Sequence, residues 1–184
     1  MPPNPVLKTR RPVWGFSPEH AAFPHTPRML TALTLLTCMG AGTIGGVFFA
    51  FSTSVMKALA QLPASQAVSA MQRINVVIVN PVFLGAFLGT AVLAAGCVVA
   101  SFFPWIAARS PLLLAAGVLY LAGSFLVTMA FNVPRNERLA RLDAVSAEAA
   151  AYWPTYVREW SQWNHLRAAA SVASAVCSAA ALVR

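Results

Sequence analysis

An all-α, integral membrane four-helix bundle is the fold this sequence predicts, and three observations predict it. Only 10% of the 184 residues are charged and 58% are hydrophobic, with a mean hydropathy of +0.66. A soluble domain carries about 25% charged residues, so this chain cannot clothe an ordinary water-facing surface. Second, long stretches hold no charge at all: Met29 to Met56, Ile74 to Ala108 and Ser110 to Pro134, with Ala168 to Val183 following Arg167. Third, the net charge of +8 lies mostly between these stretches. Taken alone that charge would suit nucleic acid, but its placement fits membrane interfaces and no nucleic-acid partner is expected. A hydrocarbon core about 30 Å thick needs roughly 20 apolar residues in a helix, and backbone groups cannot go unpaired in lipid.

Residues 1–28 hold seven of the 13 prolines and no apolar run. Such a segment cannot bury a core and is expected to be a disordered tail, leaving 29–184 as the transmembrane domain. It is no secretory signal, because the apolar run after it is too long and no A-x-A site closes it. Met29, immediately before the first span, competes with Met1 as the start.

The first span is expected over about 30–59, glycine-rich early and aromatic and polar late. Gln61 to Ser65 breaks it, with Ser65 as the cap of a short helix. The second span is expected over 74–103, kinked at Asn80-Pro81. The third covers 112–132 and ends at Asn132-Val133-Pro134, since a residue before proline resists the α region. Residues 135–153 read as a loop with Ser146 as the next N-cap. Pro154 suits a first helical turn, and the fourth span follows over 156–183. With four spans both termini share one side, and positive residues divide six against seven between the sides. The positive-inside rule therefore gives no bias, beyond the four positives ahead of the first span that favour termini inside.

Gly40-Ala41-Gly42-Thr43-Ile44-Gly45 matches the dinucleotide fingerprint letter for letter. That motif works only between a strand and a helix, with an acidic residue about 20 positions on. Here it is mid-span and the next acidic residue is Glu137. It reads as a small-residue packing face, repeated at Gly85/Gly89 and Ala169/Ala173/Cys177/Ala181, which also offers helix faces for an oligomer. Cys38, Cys97 and Cys177 show no paired spacing and read as small buried hydrophobes.

Polar residues in the spans are the informative minority, because hydrocarbon penalises them unless they are paired or wetted. They are Ser52, Gln72, Asn75, Asn80, Asn132, Asn164, His165 and Arg167. Tyr156, Trp160, Trp163, Asn164 and Arg167 form one helical stripe. Its aromatics suit either interfacial anchoring or a site. His165, the one histidine beyond the tail, is either a proton-transfer group or a hydrogen bond tying helices together. Metal-ligand spacings are missing and no carboxylate lies in an uncharged span, so no metal centre and no proton-driven transport is expected.

Three blocks together resemble the anthrone-oxygenase-like family of small membrane proteins, whose bacterial members are mostly a domain of unknown function. They are Gly46-Val47-Phe48-Phe49-Ala50-Phe51-Ser52-Thr53-Ser54-Val55-Met56; Ala70-Met71-Gln72-Arg73-Ile74-Asn75 with Asn80-Pro81-Val82-Phe83; and Phe131-Asn132-Val133-Pro134-Arg135-Asn136 with Trp160-Ser161-Gln162-Trp163-Asn164-His165-Leu166-Arg167. Lys57 departs from the uncharged residue expected there. The resemblance implies a four-helix membrane fold, placed in the bacterial inner membrane as a multi-pass protein. From the fungal members it implies oxygenation of an anthrone to an anthraquinone with no organic cofactor. On that mapping His165 is the base, Asn75, Asn132 and Asn164 are amide donors to the developing oxyanion, and Arg167 is a fixed positive charge. Trp160, Trp163 and Phe51 wall a flat lipophilic aromatic substrate, with Ser52 and Gln72 beside it. These residues share one end of the bundle. A non-catalytic membrane module, whose polar end clamps helices or binds a partner, is the competing reading.

Overall fold

The computed structural model describes residues 26–106 and 109–183. Five helices make up the described chain, and no strand occurs among the described residues. We label them α1 (residues 26–59), α2 (Ala64–Val77), α3 (Pro81–Ala100), α4 (Ser110–Ala140) and α5 (Ala147–Leu182). Four of them, α1, α3, α4 and α5, are long and apolar enough to cross a membrane. The chain therefore has the architecture of a four-span integral membrane protein, with α2 as an extra helix at one end.

Most of the expected proline-rich tail lies outside the described residues, but α1 already begins at Thr26, inside the segment expected to be disordered. The other boundaries shift for local reasons. The second span does not run from 74 with a kink; it starts at Pro81, and α2 is separate. Asn80 is extended, its Oδ1 accepts the Val82 and Phe83 amides at 3.0 Å each, and its Nδ2 donates to Val77 O. One asparagine thus caps α3 and closes α2, and proline at the first turn completes the start. Ser65 does not cap α2: the cap position is Pro63, in extended conformation and without a side-chain bond.

The third span passes through Pro134 to Ala140 where an end was expected. Leu119–Leu126 and Thr128–Asn132 are wound as π-helix, and Pro134 opens the α-helical turns that follow. Wide turns relieve the clash of the ring with the carbonyl four residues back, and Pro134 needs no amide donor there. Helix α5 begins at Ala147, with Pro154 inside it and not in its first turn. Ser146 is its N-cap, as the sequence suggests, accepting from Ala149 N at 3.1 Å. The expected loop of 135–153 therefore contracts to six residues, 141–146.

Three clusters fill the core. One holds Cys97, Leu113 and Ala181, and a central one gathers Ile44, Phe48, Phe87 and Tyr120. The third, at the opposite end from the termini, brings Met56, Met71, Leu139, Tyr152, Trp153, Tyr156 and Trp160 together from four helices. At 1.5 Å per residue α3 is about 30 Å long and α5 about 54 Å. Helices α1, α4 and α5 thus project beyond α3 at one end, where α2 packs among them. The glycine motif serves packing: an added Cβ at Gly40 would strike Thr90, and one at Gly45 would press on Ser171 and Val172. By contrast Gly46, Gly85 and Gly89 face open space.

Candidate functional site

Helix α3 ends where its neighbours continue, and a cavity of about 340 Å³ opens at that step. All five helices line it, among them Phe48 and Phe51 of α1, Asn75 of α2, Phe83 and Phe87 of α3, Thr128 and Asn136 of α4, and Trp160 and Arg167 of α5. Aromatic and aliphatic side chains form most of the wall, with four polar groups converging on it, the composition of a small-molecule site.

Arg167 is the central group and is only 4% exposed. Its Nη2 donates to Asn164 Oδ1 at 2.7 Å and its Nη1 to Thr128 Oγ1 at 3.2 Å. The guanidinium carbon lies 4.1 Å from the Phe48 ring centroid and 5.2 Å from that of Trp160. Cation–π contact offsets part of its lost hydration. No carboxylate pairs with it: among the described residues the ion pairs are Arg135–Glu159 and Arg158–Glu159. Its Nε is buried without a partner.

Asn164, fully buried, holds Arg167 in place. Its Nδ2 donates to Phe48 O and Ser52 Oγ, both at 2.7 Å, while its Oδ1 receives the guanidinium. The π-helical turn Phe51–Val55 presents both Phe51 to the cavity and Ser52 to Asn164. On the far wall Asn136 Oδ1 accepts from the Tyr156 hydroxyl and from Trp160 Nε1, both at 2.8 Å. Asn75 lies beside the Tyr156 hydroxyl, and its Nδ2 is buried with no partner in hydrogen-bond geometry. Two unsatisfied N–H donors, on Arg167 and Asn75, therefore belong to residues that line one apolar cavity.

Of the residues singled out from the sequence, Phe51, Asn75, Trp160 and Arg167 line the cavity, and Asn164 and Ser52 support it from behind. The others lie elsewhere. Asn132 is buried against α5, donating to Trp160 O at 3.2 Å with its Oδ1 unpartnered. Gln72 donates to Leu139 O and Leu142 O at 2.9 Å each, closing the end of α4 against α2. Trp163 stacks on Phe131 at 3.6 Å and interplanar 9°, away from the cavity. His165 is exposed on the outer face of α5, in a groove beside Lys57. Asn136 was missed because ending the third span at Pro134 leaves it in a loop, and Thr128 because a helical threonine can satisfy its hydroxyl on the carbonyl four residues back, as it does on Ser124 O at 2.8 Å. The π-helical winding of Thr128–Asn132 sets Thr128 and Asn136 on the cavity and Asn132 off it, which a regular α-helical spacing does not give.

Fold and cavity together define a four-span integral membrane protein with an amphipathic cavity at one end of its bundle. The family model for anthrone oxygenase matches residues 76–177, more than half of the chain, and the protein belongs to the anthrone oxygenase family. No curated protein and no solved structure matches it.

Proposed function

We propose that the protein is an oxygenase of the bacterial inner membrane that converts a lipophilic anthrone-type substrate to its quinone in this cavity. The observation that carries the reading is Arg167, a buried guanidinium with no carboxylate partner, lining an apolar cavity beside the unsatisfied Asn75 amide. Such an arrangement is costly when empty and favours a flat ligand that becomes an oxyanion. The lining holds no carboxylate, histidine or lysine, so the methylene proton passes to a solvent-borne base, and the anthrone becomes its enolate, whose oxygen would take up the Arg167 and Asn75 donors. Donors set in place before the charge develops stabilise that anion without reorganisation. The enolate carbon gives an electron to O₂ and recombines with the resulting superoxide as a peroxide anion, which takes a proton back from solvent to become the hydroperoxide. Loss of water across the C–H and O–O bonds then leaves the carbonyl, so anthrone and O₂ yield quinone and water.

The cavity mouth supports a lipophilic substrate. Val79, Leu88 and Met129 line it and are 63%, 47% and 50% exposed, giving an apolar rim open between α3 and α4. A substrate dissolved in the bilayer reaches Arg167 through that rim without crossing water. On this reading His165 takes no part, since it lies on the outer face.

The test is oxygen uptake and quinone absorbance in proteoliposomes given an anthrone, against protein-free liposomes for spontaneous oxidation. Wild type should consume one O₂ per quinone formed. Asn75→Ala should lower kcat by about a hundredfold, the effect of losing one oxyanion donor, and His165→Ala should match wild type. Uptake no faster than in empty liposomes would sink the proposal. The competing reading, a non-catalytic helix clamp, draws on the Asn164 bonds that join α1 to α5; it predicts uptake no faster than in empty liposomes for wild type and Asn75→Ala alike.

A further inference from the structure

On the outer surface the seam between α1 and α5 forms a second concavity, a groove of about 810 Å³. Its α5 wall includes His165, Ala169, Val172, Ala173, Val176 and Cys177, spaced so that one helical face runs the length of the groove. From His165 to Cys177 that face measures about 18 Å, close to one leaflet of a hydrocarbon core about 30 Å thick. The small side chains leave room for something slender and apolar along the helix.

One end is different. Lys57 and His165 both line it, both are exposed, and neither makes a hydrogen bond or an ion pair among the described residues. None of Glu137, Asp143, Glu148 or Glu159 lines the groove. This end is also at the right depth. Asn164 bonds Phe48 O, and Phe48 packs edge-on against Phe87 in the early turns of α3. Since α3 is about as long as the hydrocarbon core is thick, its first turn marks the edge of that core, with His165 just inside and Lys57 beyond.

We propose that this groove binds an anionic phospholipid, with one acyl chain along α5 and the phosphate held by the Lys57 ammonium and an N–H of His165. A second copy of the chain fits less well. In a two-fold dimer the same patch meets itself, which would set two Lys57 ammonium groups at one depth near the axis with no carboxylate between them.

The experiment is native mass spectrometry of the full chain in detergent micelles, titrated with phosphatidylglycerol or phosphatidylcholine of identical acyl chains. Wild type should hold phosphatidylglycerol about fivefold more tightly, the effect of one basic residue on anionic lipid. Lys57→Gln should abolish the preference, and Ala173→Trp, which fills the groove, should lose both lipids. Equal binding of the two lipids by wild type overturns the proposal, as does an undiminished preference in Lys57→Gln. A dimer that Ala173→Trp converts to monomer would assign the groove to a second copy. Should Ala173→Trp fail to fold, Lys57→Gln on the exposed end decides alone.

Discussion

Burying a guanidinium in a membrane without a counter-ion requires neutral groups to share its hydration shell, and Asn164 shows how. Its amide spends both ends, taking Arg167 on the oxygen and gripping Phe48 O and Ser52 Oγ with the nitrogen. Asn164→Leu should therefore weaken the fold by about 1–2 kcal/mol, the upper range for interhelical hydrogen bonds in membranes, seen as a lower midpoint in detergent-driven unfolding. Arg167→Lys should keep the positive charge but lose the two-pronged hold on Asn164 and Thr128, because an ammonium cannot reproduce the planar guanidinium. It should fold near wild type and lose most oxygen uptake; wild-type uptake would show that charge alone suffices. Of the stripe Tyr156, Trp160, Trp163, Asn164 and Arg167, four face inward and were legible from spacing, because helical periodicity depends on nothing outside the segment, while Trp163 turns out against Phe131. The direction of His165 was not: it lies only one position from Asn164, and a step of about 100° separates a buried face from a lipid-facing one.

At the scale of helices, prolines decided what could be read. The spans themselves follow from uncharged length, and all four were legible. Their ends were not, because Pro134 and Pro154 lie inside helices and Asn80-Pro81 separates two. A sequence rule treats proline as a stop, whereas wide turns and packing decide whether the chain obeys. The second π-helical stretch of α4 carries the cavity-lining Thr128 and Met129 as its first two residues. Glycines allow a sharp comparison between helix faces. An added Cβ at Gly117 would approach Ala94 O within 2.5 Å and Val98 N within 3.2 Å, and backbone cannot step aside. Gly117→Ala should destabilise the α3–α4 contact, lowering the thermal midpoint. Gly85→Ala meets nothing within 4 Å and should hold or raise the midpoint, since alanine favours helix by up to about 1 kcal/mol. Equal midpoints for the two variants would contradict the packing of α3 on α4.

For the molecule as a whole, four crossings set the 141–146 turn and the turn around Trp105 on opposite sides of the membrane. Val145 and Trp105 are 79% and 65% exposed, so each suits a reporter thiol. In a background lacking Cys38, Cys97 and Cys177, Val145→Cys and Trp105→Cys should react with a membrane-impermeant maleimide from opposite faces of sealed vesicles. Labelling of both from the same face would refute the four-span topology. The unpaired Arg167 also bears on how the protein is made. Helix α5 is the least apolar of the four spans, and an arginine at a helix centre costs about 2.5–3.5 kcal/mol during insertion by the translocon. Two of the four partners that make Arg167 tolerable, Phe48 and Thr128, come from helices synthesised earlier, while Asn164 and Trp160 lie on α5 itself. The last span should therefore integrate only once α1 and α4 are in place. Fused alone to a glycosylation reporter in microsomes, residues 147–182 should pass through the membrane, and Arg167→Leu should make the segment stop in it. With that outcome, biogenesis of this bundle would run in one direction, the cavity-facing charge acting as the check that the earlier helices have arrived.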